Sequence, residues 1–386
     1  MSISLIFLLT ILPHMAFASA RVTMSLFALH LGATPFTVGM IISLIAVVPM
    51  FCSVRWGRQI DRIGVYKPMV FGASLILAGV LLAYALPRVE TLFAVSVLAG
   101  SGFMLYHICV NQAAALVGRP EDRARNFSVL ALAFSTSGFV GPVTAGFAID
   151  WFGHRNTFLL SAGFVVATLA LIYHRRGAIR RLHRPPGAAP QTEDTPDKHI
   201  ADLLRIPALL RIFVLSGLLS MCWDLYSFVM PIHGSSIGLS ASTIGLVLGA
   251  FGSAIFITRL ILPWLVRRVD ERKLLIGAMV LTAVKLALIP LTRSVPLLMM
   301  VSFVLGVGLG GTQPIIMALL YEKAPPGRGG EAVGMRTLLL NITQAAIPMI
   351  FGALGAALGM TPVFFAMGAA LLWGAWYARG GVGVNK

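Results

Sequence analysis

At 386 residues, 58% of them hydrophobic and only 11% charged, the chain is too apolar to keep a water-soluble surface, so lipid must solvate most of it. Its formal net charge of +16 does not point to nucleic acid, because the basic residues build no basic, aromatic-interleaved soluble module. Cys52, Cys109 and Cys222 have no paired spacing, which argues for buried packing residues and against a disulfide framework or a zinc site.

A helix crosses the hydrocarbon core with about 20 apolar residues. By that measure twelve spans follow in order, near 4–29, 37–56, 69–86, 91–117, 127–151, 156–173, 207–231, 242–266, 273–291, 295–321, 332–357 and 361–378. The first, in "MSISLIFLLTILPHMAFASARV", could pass for a secretory signal ending at Ala18-Ser19-Ala20. It has no basic leader and its apolar run continues past that point, so it reads as span 1. Span 4 contains "AGSGFMLYHICVNQAAALV", with His107, Asn111 and Gln112. Neighbouring residues on a helix point about 100° apart, so only one of Asn111 and Gln112 can face a cavity fully. Between spans 6 and 7 lies "HRRGAIRRLHRPPGAAPQTEDTPDKH" (174–199), polar and Pro-rich, which reads as a linker with at most a surface helix.

Arg58, Arg62, Lys67, Arg119, Arg123, Arg125, Arg267, Arg268, Arg272, Lys273, Lys323, Arg328 and the run from Arg175 through Arg184 all fall on one side of this topology. Arg88, Arg155 and Arg293 fall on the other. The positive-inside rule then places both termini in the cytoplasm; the membrane expected is a bacterial-type inner membrane.

An ionisable residue at bilayer depth costs about 2.5–3.5 kcal/mol on insertion scales and calls for a reason. Among the acids, only Asp224, in "SMCWDLYSFVM" of span 7, lies deep in a span, which makes it the candidate proton carrier. The competing roles are a fixed partner for a cation within the membrane, such as Arg21 in span 1 or Arg259 in span 8, and direct contact with a substrate cation. Trp223 and Tyr226 flank Asp224 and would suit an aromatic or amphipathic ligand, unless they only pack. His107 is a candidate for substrate or proton contact, and Gln313, Asn341 and Gln344 could add polar contacts. Lys285 reads as a snorkelling side chain. Met221, Cys222, Met230 and His233 suggest a soft-metal site, but Met221 and Met230 are about 14 Å apart by helical rise, so no metal is expected.

Sliding the chain by 206 residues aligns "HLGATPFTVGMI" (30–41) with "SIGLSASTIGLV" (236–247). The same offset places Gly32 on Gly238, Met24 on Met230, Arg62 on Arg268, Lys67 on Lys273, Gly100 on Gly306 and Gly102 on Gly308. His107 falls on Gln313, and Asp224 on Ala18. The expected architecture is therefore two parallel six-helix repeats, 1–173 and 207–386, joined by a linker at 174–206. Such repeats bind substrate at their interface and rock about it.

With these features the chain resembles the major facilitator superfamily of transporters. Between spans 2 and 3, "GRQIDRIGVYKP" (57–68) matches that family's signature at Gly57, Asp61, Arg62 and Gly64, with Val65 and Tyr66 in place of the basic pair and Lys67 following. The resemblance implies a cytoplasmic gate in which Gly57 admits a neighbouring helix and Asp61 is held at the amino terminus of span 11, with Arg336 nearby. In span 5, "STSGFVGPVTAGFAIDWFGHR" is similar to the motif of the antiporter branch at Gly141, Pro142 and Gly146, while Ser137 and Ala145 replace usual glycines. Small residues at that spacing let helices pack closely. The resemblance implies export against protons, although the Arg often carried in span 4 of drug exchangers is absent.

The combined expectation is an all-α, twelve-helix secondary transporter, moving a small organic compound by alternating access and coupled to protons. Asp224 and His107 would couple, while Arg21, Asn111, Trp223, Tyr226, Arg259, Gln313, Asn341 and Gln344 would line the substrate cavity. The alternatives are an importer of a small organic anion and a non-transporting membrane sensor. No cofactor is expected, the expected unit is a monomer, and no hydrolase or Walker motif suggests an enzyme.

Overall fold

The computed structural model describes residues 3–118, 122–182, 200–325 and 328–380. Most of the expected linker, with Arg184, and the basic residue Arg119 lie outside these. Among the described residues every regular element is helical. The helices are α1 (Ile3–His30), α2 (Pro35–Ile63), α3 (Tyr66–Ala85), α4 (Val89–Leu116), α5 (Arg123–His174), a short α6 (Arg176–Arg180), α7 (Pro207–Ser236), α8 (Ala241–Leu265), α9 (Glu271–Leu288), α10 (Val295–Gly310), α11 (Thr312–Lys323), α12 (Gly329–Leu358) and α13 (Met360–Ala378).

Spans 5 and 6 are both contained in α5, which breaks at Gly153, and span 10 is shared by α10 and α11 around Gly311. One boundary differs from expectation. The stretch "GRQIDRI" was expected between helices, yet α2 continues through it to Ile63. Helical hydrogen bonding outlasts the apolar run there because the stop is set by Gly64, not by polarity.

The 206-residue repeat is visible in the backbone. Gly153 (φ 80°, ψ 160°) and its counterpart Gly359 (φ 80°, ψ 169°) both occupy a region that side chains essentially forbid, and each turns the chain between consecutive helices. Close packing repeats as well. A methyl on Gly100 would strike the Ile45 carbonyl oxygen, and one on Gly306 would strike that of Phe251. One on Gly102 would meet the Gly72 carbonyl oxygen, and one on Gly308 would meet that of Ala278. Ile45 and Phe251, like Gly72 and Ala278, are separated by the same offset. Glycine is what lets these helices approach backbone to backbone, which substitutes for the hydrophobic drive that lipid removes.

The chain forms two compact units: Met1–Ala188 with Met230–Gly249, and Ala189–Val229 with Ala250–Lys386. In the first, Leu9, Ile60, Met69, Ile76, Tyr106 and Val165 belong to one buried cluster. The Tyr106 hydroxyl donates to the Leu9 carbonyl at 2.8 Å, and the Asn126 amide donates to Ala114 and Val117, satisfying carbonyls at the end of α4. In the second, α9 packs against α10 and α13, with Met279 and Leu286 fully buried.

Hydroxyls inside the helices are satisfied locally: Thr10, Thr23 and Ser25 donate to carbonyls one turn back. The outside is apolar. Phe51 is 69% exposed, Leu260 61% and Trp151 71%, a surface that demands lipid rather than water.

Candidate functional site

Asp224 lies past the middle of α7 and is buried, at 5% exposure. Among the described residues it is the only acid in the buried class. Trp223 meets the Phe251 ring edge to face at 5.2 Å and keeps part of its surface, whereas Tyr226 packs on Phe251 at 4.5 Å and is fully buried. Arg21 on α1, Arg259 on α8 and Lys285 on α9 are each partly buried.

The structure unites two residues that sequence reasoning assigned to different places. Arg336 of α12, 6% exposed, donates from Nε to Ser216 Oγ of α7 and from Nη2 to Gln313 Oε1 of α11, both at 2.8 Å. Met317 Sδ lies 3.6 Å from Nη1. The carbonyl of Gln313, expected to line the cavity, is thus engaged by a guanidinium. Asn341 on α12 is partly buried and Gln344 exposed.

The first unit has its own polar knot, on the equivalent helices. His14 Nδ1 lies 2.6 Å from Ser137 Oγ. The same Ser137 hydroxyl also lies 2.8 Å from the Ala133 carbonyl oxygen and 3.1 Å from that of Phe134, so it ties the imidazole to the α5 backbone. His14 packs against Phe103 and Phe134 at 5.3 and 5.0 Å, and His107 packs against the same rings at 5.8 and 4.8 Å. His107 Nδ1 is buried without a hydrogen-bond partner among the described residues. Sequence reasoning missed His14. The available signal was a polar ring in span 1, two turns before Arg21 on a helix expected to face the cavity.

The signature stretch occupies the last two turns of α2. Asp61 Oδ1 accepts from Gln112 Nε2 at 2.9 Å, so Gln112 serves the signature, while the Asn111 amide donates back to the His107 carbonyl at 2.8 Å. Asp61, Arg62 and Lys67 are exposed. Gly64 (φ 78°) ends the helix, its N–H donating to the Ile60 carbonyl. At Gly57, expected to admit a neighbouring helix, a methyl would meet nothing within 4 Å.

The span 5 glycines lie at close contacts. A Cβ on Gly141 would lie 2.7 Å from that of Ala18 on α1, and one on Gly146 would strike the Ala241 carbonyl oxygen. Pro142 lies inside α5, and a Cβ on Gly245 of α8 would come within 2.6 Å of its carbonyl oxygen. One turn beyond Gly146, Asp150 accepts from the backbone N–H groups of Ala241 (3.2 Å) and Ser242 (2.8 Å).

This helical chain has counterparts among known proteins in sequence and in fold. The chain is 27% identical over 383 residues to a putative sugar efflux transporter of Deinococcus radiodurans, covering 96% of this chain and 95% of that one. It is 24% identical over 362 residues to the multi-drug resistance efflux pump PmrA of Streptococcus pneumoniae, covering 89% and 86%. A crystal structure of the peptide transporter POT in complex with sulfate superposes with a TM-score of 0.80 at 16% identity, over 98% of this chain and 93% of that one, which shows the shared fold. The model of the Major Facilitator Superfamily matches residues 6–268 and 212–380. The chain is a multi-pass membrane transporter belonging to the Major Facilitator Superfamily.

Proposed function

We propose that this transporter exports a small organic compound in exchange for protons, by alternating access, from a bacterial-type inner membrane with both termini in the cytoplasm. The observation that carries this reading is Asp224, the only acid among the described residues with a buried side chain, on a helix that crosses the membrane. A carboxylate there must take up and release a proton, or meet a cation, to justify its insertion cost. Relatives named as efflux transporters support the outward direction. Arg21, Asn111, Trp223 and Arg259 are the substrate contacts, and His107 takes part in coupling. Asp61, Arg62 and Lys67 act at the cytoplasmic gate.

The test is transport in proteoliposomes. A thermal-shift screen of sugars and lipophilic cations selects a ligand, since a compound binding only the folded state raises its apparent stability. With that ligand loaded inside, a proton gradient directed inward drives efflux from wild-type vesicles. In Asp224→Asn the ligand equilibrates without responding to the gradient. Gradient-driven uptake in the wild type, or unchanged gradient response in the variant, contradicts the reading.

A further inference from the structure

The first turn of a helix leaves its leading N–H groups without intrahelical acceptors. On α8 two side chains divide them. Ser240 caps the helix from its own sequence, its Oγ accepting from the Thr243 N–H at 3.2 Å. Asp150, on α5, takes the Ala241 and Ser242 N–H groups. One cap is sufficient to start a helix. The second comes from 91 residues away, from a helix of the other sequence repeat.

That contact is not repeated by the internal symmetry. The offset carries Asp150 to Ala356, and Ala241 and Ser242 back to Pro35 and Phe36, where among the described residues α2 is capped by its own Thr34. Directly below the carboxylate, Gly146 and Gly245 hold α5 and α8 at backbone contact. Beside it a cavity of about 210 Å³, lined by His30, Asp150, His154, Leu239 and Ile244, gives water a way in. Asp150 itself is exposed. Its bonds can therefore exchange for bonds to water without leaving a buried orphan, as a contact that breaks in every cycle must.

We propose that Asp150 is a positioning residue of transport, a latch that holds the α7–α8 turn on α5 and must release before this end of the bundle opens. The proposal rests on the alternating-access reading above. Loss of the latch raises the open population at this end about fivefold, the factor that loss of a typical helix cap carries.

The experiment uses the full chain in lipid nanodiscs with Cys52, Cys109 and Cys222 replaced by alanine. Ile244→Cys is the reporter, at a position 1% exposed on α8 beneath the latch. At that exposure a water-soluble maleimide reaches the thiol only when the packing of the α7–α8 turn loosens. Asp150→Ala is expected to label about five times faster than the parent. Asp150→Asn, an equally good cap, stays near the parental rate. Ser240→Ala controls for fraying of α8 and leaves the rate unchanged. Equal, finite rates in the parent and Asp150→Ala overturn the latch alone, as does equal acceleration by Ser240→Ala. If the reporter never labels in any variant although denatured protein labels fully, this end does not open, and the alternating-access reading fails with it.

Discussion

Arg336 shows what a charge requires in order to sit inside a membrane protein. Its guanidinium is buried with two neutral side-chain oxygens as acceptors, on α7 and α11. Removing one acceptor leaves buried donors without a partner, which costs about 1–3 kcal/mol. Gln313→Leu is therefore expected to lower the thermal unfolding midpoint in detergent. Ser216→Ala should do the same to a smaller degree, since a hydroxyl is the poorer acceptor to lose. A midpoint unchanged in Gln313→Leu would show that the guanidinium finds water instead. At this scale the sequence makes ionisable residues conspicuous, because so few survive in apolar spans, and Asp224 and Arg336 stand out for that reason. Their partners do not. Ser216 and Gln313 are ordinary polar residues, and pairing them with Arg336 requires knowing how α7, α11 and α12 rotate about their axes. His14 could be seen as a polar ring in span 1, but its partner Ser137, far away in sequence, could not.

Glycine does two different jobs along these helices, and substitution separates them. Gly100 lies against a backbone carbonyl that cannot rotate away, so Gly100→Ala is expected to destabilise by about 1–3 kcal/mol, the usual cost of overpacking. Gly57 faces open space within α2, so Gly57→Ala is expected to stabilise by about 0.5–1 kcal/mol through reduced backbone freedom of the unfolded chain. Thermal unfolding of the pair side by side checks both signs, and a destabilised Gly57→Ala would mean that a helix does approach there in another state. The positions of the helices were readable from apolar length alone. The extension of α2 to Ile63 was not, because hydropathy registers lipid and says nothing about where backbone hydrogen bonding stops. Gly153→Ala is expected to be destabilising by about 1–3 kcal/mol, because its backbone conformation all but excludes a side chain.

Over the whole molecule, the repeat in the sequence is also a repeat of contacts: equivalent glycines meet equivalent carbonyls 206 residues on. Against that symmetry the functional groups are unequal. The first unit holds His14 and His107 packed on the same two phenylalanine rings, and the second holds Asp224 and Arg336. If Asp224 exchanges a proton for ligand, the two compete, and by linkage ligand binding must expel what the carboxylate holds. The direct measurement is proton release from purified protein in weakly buffered detergent near neutral pH, on adding a ligand found by thermal shift. The account predicts a release of up to about one proton per chain in the wild type and none in Asp224→Asn, with ligand still bound. Equal release from both proteins, or ligand binding to the wild type with no release at any pH between about 5 and 9, would contradict it.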